Sequence, residues 1–341
     1  MKILPIYQVK LGMKLAQNIY RHDSLLAFPK GIVIHAFELQ TLKQYKIDYV
    51  LVVDSYQHIG GKEDINFTLD IIESVYTQST LWSPEFGKAL YDKLETRIIK
   101  NKRIMGYLNE LRFFDSYSFA HCINISAIVA LMLSIDGEVD EELADLTFIT
   151  LMHDIGRIKM PEIFNKEGKL NDKEFEELKK HPQYSFKLLR KAGFSEYELK
   201  FVLETHEKWD GTGYPLKIAG KDISDLAQLI LLADYYNALS SFRPYRRAFL
   251  PFEVITMLEE ERDKAIGKRY LDLFLQKFVP YRVGCMVELN NGAVAIVRKL
   301  HERVKTLPII DIVSEQTGER ITTVDLAYRQ DLRIQKIIVT Y

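Results

Sequence analysis

Two cysteines in 341 residues, Cys122 and Cys285, are too few for a disulfide framework, and Cys122 reads as a small buried apolar residue instead of a ligand. Neither sign of charge is in excess: 46 Lys and Arg face 47 Asp and Glu, for a net charge of −1. That balance gives no sign of a nucleic-acid surface or of adhesion to a membrane. No apolar run reads as long enough to span a bilayer, and the N-terminus lacks the pattern of a signal peptide. The expectation is a soluble, cytoplasmic chain with no DNA, RNA or membrane partner. Internal repeats and low-complexity segments are also missing. What is present is ample apolar material, 47% of the residues, enough for a sizeable core and, at this length, two or three domains.

The histidines carry the chemical signal. Of eight, four fall with two aspartates in the series His121, His153-Asp154, His181, His206 and Asp234, each group 25 to 32 residues from the next. One helix and its loop fill such an interval, so each group can come from a different helix of a bundle. Asp234 lies inside Leu226 to Leu239, which is apolar on nearly every side of a helix. Ionised and unpaired there, a carboxylate would cost several kcal/mol. A cation is one remedy, and the upstream histidines supply its other ligands. His153-Asp154 follows the apolar run Leu143 to Met152, so that a carboxylate at a helix end can bridge two ions while its neighbour binds one. Any one of these histidines alone is more often a hydrogen-bonded core or surface residue; the ordered set argues for a two-metal site of imidazoles and carboxylates, suited to iron, manganese or zinc.

The order His, His-Asp, His, His, Asp resembles the HD superfamily of metal-dependent phosphohydrolases, and three stretches resemble its HD-GYP branch. They are His153-Asp-Ile-Gly-Arg-Ile-Lys-Met-Pro161, His206-Glu-Lys-Trp-Asp-Gly-Thr-Gly-Tyr-Pro215 and Ala233 to Arg246 with Arg-Pro-Tyr-Arg at its end. Lys166 to Leu170 and His181-Pro182 also match, and the likeness runs from about Pro84 to about Pro280. It implies a phosphodiesterase that hydrolyses cyclic di-GMP to pGpG, and on to GMP, with a hydroxide held between two metals. It also implies His121, His153, Asp154, His181, His206 and Asp234 as ligands of two divalent ions, iron or manganese, with Asp154 holding the pair together.

His153 and Arg157 stand four apart, which on a helix puts the guanidinium beside the metals to stabilise charge on phosphorus. The family usually has Lys at that place; Arg keeps the charge but does not readily release a proton. Asp210 to Pro215 reads as a turn with two glycines, and the resemblance places it beside the site with Tyr214 shaping nucleotide access. Trp209 is open to two readings, a stacking platform for guanine or a core aromatic. Arg243 and Arg246, just past the Asp234 helix, are candidates for phosphate contacts. Some members hold a third metal with a Glu one turn before the first His and a second His before the Gly-Tyr-Pro segment. Here those places are Tyr117 and Thr205, which argues for two metals. Asn237 stands where an Asp is usual and reads as a partner of a ligand that has lost its charge.

The implied fold class is mainly α: an all-helical HD-type core at 84–280, a small N-terminal α+β module at 1–55, a linker at 56–83 that passes into a helix, and a small antiparallel β module at 281–341. The N-terminal module shows strand-like runs at 9–16, 25–34 and 47–53 with a helix at 38–45 between them. Its His22 and His35 belong to no ligand pattern; regulation or a homodimer contact is the role its placement suggests. Met286 to Val297 is a hairpin signal with Asn291-Gly292 at the turn. Strands at 309–313, 320–326 and 334–341 follow. His301 reads as part of a solvated β-surface. Two other functions stay open: a receptor that binds the nucleotide or another signalling protein without turnover, and hydrolysis of another phosphoester.

Overall fold

The computed structural model describes residues 2–338 apart from 22, 24, 54–61, 80, 136, 165, 167–169, 243–246, 279–280, 282, 303–304, 315 and 330. The N-terminal module contains β1 (Lys2–Pro5), β2 (Lys14–Leu15), β3 (Ile19–Tyr20), β4 (Leu26–Phe28), α1 (Ala36–Gln44) and β5 (Tyr49–Val53). Strands β1 and β2 pair antiparallel on either side of β5, and β3 pairs with β4. Of the two longer runs expected as strands, 9–16 keeps only β2 and 25–34 only β4. Between them Gly12 and Gly31 take positive φ, which breaks an extended run into turns. The module has its own core of Leu15, Phe28, Ile34, Leu42, Val50 and Val52.

Helices follow: α2 (Lys62–Gln78), α3 (Pro84–Lys100), α4 (Lys102–Phe114), α5 (Ser116–Leu133), α6 (Glu141–Met152), α7 (Pro161–Phe164), α8 (Asp172–Leu178), α9 (His181–Lys191), α10 (Glu196–Glu204), α11 (Asp225–Ser240), α12 (Pro251–Glu260) and α13 (Lys268–Lys277). Their starts are written in local sequence. Ser83 Oγ accepts from Phe86 N–H ahead of Pro84, and Asp115 and Asp140 cap α5 and α6 through Ser118 N–H and Leu143 N–H. The stretch 62–78, inside the expected linker, is helical; its Leu69, Ile71, Ile72, Val75 and Tyr76 pack in the same core as the helices after it.

Helix α5 runs through the middle of that core. It is the one described helix long and apolar enough to match a bilayer span, contrary to the expectation of no such run, yet 78% of it is buried inside the protein. Burial on all sides within other helices explains its lack of a polar face. The N-terminal module meets it directly: Leu25 and Leu26 enter the helical core while the next residues, Ala27 and Phe28, stay in the module's own.

The chain ends in a five-stranded antiparallel sheet of order β10-β6-β7-β8-β9, formed by β6 (Met286–Leu289), β7 (Val294–Lys299), β8 (Ile309–Val313), β9 (Arg320–Asp325) and β10 (Ile334–Ile338). The β6–β7 hairpin turns at Asn291-Gly292 as read, with Gly292 at φ 85°. His301 pairs with Asp325 at 2.8 Å and has no part in the site.

Candidate metal centre

Five helices converge on one buried point. His121 projects from the middle of α5, His153 closes α6, Asp154 follows in the turn, His181 opens α9, His206 lies just past α10, and Asp234 projects from α11. All six side chains named from the sequence meet there. The Asp154 carboxylate is wholly buried and divides the histidines into two pairs. Its Oδ2 faces His121 Nε2 at 3.6 Å and His153 Nε2 at 3.5 Å, while its Oδ1 faces His181 Nε2 at 3.0 Å and His206 Nε2 at 3.7 Å. Asp234 closes the other side, with Oδ1 3.3 Å from His121 Nε2 and Oδ2 4.0 Å from His206 Nδ1. Its side chain is 20% exposed, so the point opens toward solvent on the Asp234 and His206 side.

Local geometry explains the approach of the second pair. Gly156 lies so close to α9 that a Cβ there would fall 2.2 Å from the His181 carbonyl oxygen and 2.4 Å from Ser185 N. Its own N–H donates to Ser185 Oγ at 2.8 Å, which fastens the start of α9 to the turn that carries Asp154. Gly213 has the same role in the loop, where a Cβ would meet the backbone of 206–208. The loop folds back on that segment and lays the Tyr214 ring on His206, centroids 5.1 Å apart and 13° from parallel. Glu207 Oε1 accepts from Leu216 N–H and Lys217 N–H and holds the fold-back closed.

His153 Nδ1–H donates to the Thr150 carbonyl at 2.8 Å and His181 Nδ1–H to the Leu178 carbonyl at 2.7 Å. Each ring therefore turns an unprotonated Nε2 to the centre, the arrangement metal-binding histidines adopt. Burial lowers the pKa of His121 to about 4 and also lowers those of His153 and His181, which favours the neutral, ligating form. Burial alone would raise the pKa of Asp154, but Arg157, His153 and His181 outweigh it and hold the carboxyl well below its usual range. His121 Nε2, His153 Nε2 and Asp154 Oδ1 are buried without a hydrogen-bond partner, and Asp154 Oδ2 is met by the Arg157 guanidinium. Such convergent ligand atoms are costly alone and fit divalent cations, in two sets that share Asp154: His121, His153, Asp154 and Asp154, His181, His206.

Arg157 corrects one expectation. The α-helix ends at Met152 and residues Ile155–Lys159 form a 3₁₀ turn, so Arg157 does not share a face with His153. With three residues per turn it lies over Asp154 and pairs with its Oδ2. Its other contacts, Ser118 Oγ at 2.8 Å and the Phe164 ring at 4.7 Å, left no signal in the residue pattern. Phe164 also packs edge-on against His181. Trp209 turns away to Gly267 and Tyr270, which settles its two readings in favour of the core. Tyr117 stacks beside His121, and Thr205 Oγ1 donates back to the Val202 carbonyl. Asn237 does touch a candidate ligand, with Nδ2 2.8 Å from His121 Nδ1. Arg243 and Arg246 lie outside the described residues.

A family model described as HD domain matches residues 89–269, more than half of the chain. The chain belongs to the HD domain family. Among curated relatives of this HD domain protein, a cyclic di-GMP phosphodiesterase of Pseudomonas aeruginosa is 29% identical over 228 residues, 65% of this chain and 54% of that one. A cyclic di-GMP phosphodiesterase of Borreliella burgdorferi is 28% identical over 199 residues, 58% of this chain and 52% of that one. A 3'3'-cGAMP-specific phosphodiesterase of Vibrio cholerae is 22% identical over 227 residues, 66% of this chain and 43% of that one. The chain spans about half the length of the curated relatives it matches.

Proposed function

We propose that this HD domain protein is a phosphodiesterase of the HD-GYP type that hydrolyses cyclic di-GMP to pGpG, and further to GMP, in the cytoplasm. The observation that carries the reading is the division of labour at Asp154, one carboxylate whose two oxygens face two different histidine pairs. In this reading His121, His153 and Asp234 hold one divalent cation, His181 and His206 the other, and Asp154 both; iron is the native metal and manganese its substitute. Bound there, the cations supply an activated water at neutral pH and take up charge on the phosphodiester.

The chain's own groups do the rest. Asp154 stays ionised because Arg157 lies against it, and His153 and His181 keep their tautomers through backbone carbonyls. Arg157, wholly charged, adds positive field beside Asp154. Tyr214, fixed on His206 at the open side, borders the path a nucleotide takes. Arg243 and Arg246 contact its phosphates, and a homodimer formed through the N-terminal module is the assembly we infer.

Protein purified without oxygen is expected to carry about two equivalents of iron or manganese and to convert cyclic di-GMP to pGpG by chromatography. A parallel assay with 3'3'-cGAMP tests the substrate named for one relative. Tight binding of cyclic di-GMP with two metals and no product would defeat the hydrolase reading in favour of a receptor. The receptor has one feature on its side, the uncharged Asn237 against His121.

A further inference from the structure

His121 is held by a chain of hydrogen bonds that begins in the N-terminal module. Leu26 of β4 brackets the Asn124 side chain: its N–H donates to Oδ1 at 2.8 Å and its carbonyl accepts from Nδ2 at 2.8 Å. A backbone N–H only donates and a carbonyl only accepts, so the Asn124 amide has one orientation. Its Nδ2 also points at Asn237 Oδ1, 3.4 Å away, and Arg21 Nη1 donates to the same oxygen at 3.1 Å. A guanidinium has no acceptor, so Asn237 presents its carbonyl to Arg21 and its NH₂ to His121 Nδ1. Arg21, Asn124, Asn237 and His121 are all buried. Arg21 is itself pinned by Asp23 at 2.6 Å and by Ser240 Oγ and Ser241 Oγ.

An NH₂ group only donates, so His121 accepts at Nδ1 and carries its proton on Nε2, the nitrogen that faces Asp234 and Asp154. We propose that Arg21, Asn124 and Asn237 form a tautomer lock through which docking of the N-terminal module opposes metal ligation by His121. The inference rests on His121 being a ligand. Ligation through Nε2 requires the proton on Nδ1, where it would meet the Asn237 NH₂. If Asn237 turns its amide over, its NH₂ then faces Arg21 and Asn124, which also donate. The conflict is relieved when Arg21 and β4 draw back. By linkage, whatever pulls the module away tightens the metal at His121, and metal at His121 loosens the module.

The direct test is the ¹⁵N spectrum of the full chain stripped of metal, with the His121 ring assigned by His121→Gln. The expected signature is an unprotonated Nδ1 and a protonated Nε2, opposite to His153 and His181; a proton on His121 Nδ1 overturns the lock. Calorimetric titration with Zn²⁺ then compares the full chain with Asn237→Asp, whose carboxylate accepts from both sides, and Asn237→Ser, whose hydroxyl turns either way without charge. Both variants are expected to bind the weaker zinc about tenfold more tightly, the scale of such supporting contacts. No gain in either overturns the proposal, as does a gain in Asn237→Asp alone, which would report added charge. Faster amide exchange at Leu26 on zinc saturation is expected, and unchanged protection there overturns the link to the module. Zinc bound to none of the three forms would sink the two-metal reading and this inference together, whereas a wrong tautomer with zinc bound sinks this inference alone.

Discussion

His153 and His181, one from each histidine pair, are oriented by one means, and His121, which shares its side of Asp154 with His153, by another. Each of the first two is anchored by a carbonyl three residues earlier, Thr150 and Leu178, so its tautomer follows from the helix or turn that carries it. His121 is anchored by a side-chain amide from another helix, 116 positions away, which is itself oriented from the N-terminal module. A backbone anchor is a fixed property of the local fold. An amide anchor can turn over, and it makes one candidate ligand sensitive to distant parts of the chain.

Asp154 is common to both histidine pairs, so removing it is the strongest way to break the comparison. Asp154→Ala is expected to strip both metals and reduce turnover to background, measured by metal analysis and by pGpG formation. It also leaves Arg157 buried without its partner, for a loss of about 3 kcal/mol in stability by denaturant unfolding. Retention of one tightly bound metal would show that the two sides stand independently.

The contrast between anchors also explains what could be read from the sequence. The six ligand candidates were legible because each imposes a local anomaly, such as a carboxylate in the apolar α11 or an imidazole at the end of α6. The C-terminal strands were legible from alternation and the Asn291-Gly292 turn. Arg157 was misplaced because helical spacing was carried past Met152, where the chain tightens to a 3₁₀ turn. Arg21, Asn124 and Ser118 gave no signal: their partners lie 216, 113 and 39 residues away, and an ordinary Arg, Asn or Ser in sequence carries no mark of such a contact.

Acid sharpens the comparison more gently. The folded chain holds His121 neutral down to about pH 4, whereas an unfolded chain protonates it near 6.5. Between those values the unfolded state binds more protons, so stability rises with pH and is lost as pH falls from about 6.5 to 4. For metal-stripped protein the loss from His121 alone is about 3 kcal/mol, and His153 and His181 shift in the same direction. Asp154 is separable, since its contribution is lost only below the ordinary carboxylate pKa of 3.8. Unfolding curves across pH 4–7 for the stripped chain and for His121→Gln check this: the variant is expected to lose less stability in acid, and parallel curves would refute the burial argument.

The smallest effect is expected at Arg157, where the charge is kept and only its shape changes. Lys in its place can still pair with Asp154, so Arg157→Lys is expected to retain both metals with stability changed by about 1 kcal/mol at most. What differs is proton chemistry, because an ammonium can release a proton to a leaving oxygen and a guanidinium does not. The rate of pGpG formation is therefore expected to be equal or a few-fold higher. The native guanidinium has a second tie, however: it donates to Ser118 Oγ and lies over the Phe164 ring that packs on His181. Lys cannot keep all of these contacts at once. A fall in rate with both metals retained would mean that Arg157 serves chiefly to brace the His181 side of the centre, and it would separate that bracing from the charge it places beside Asp154.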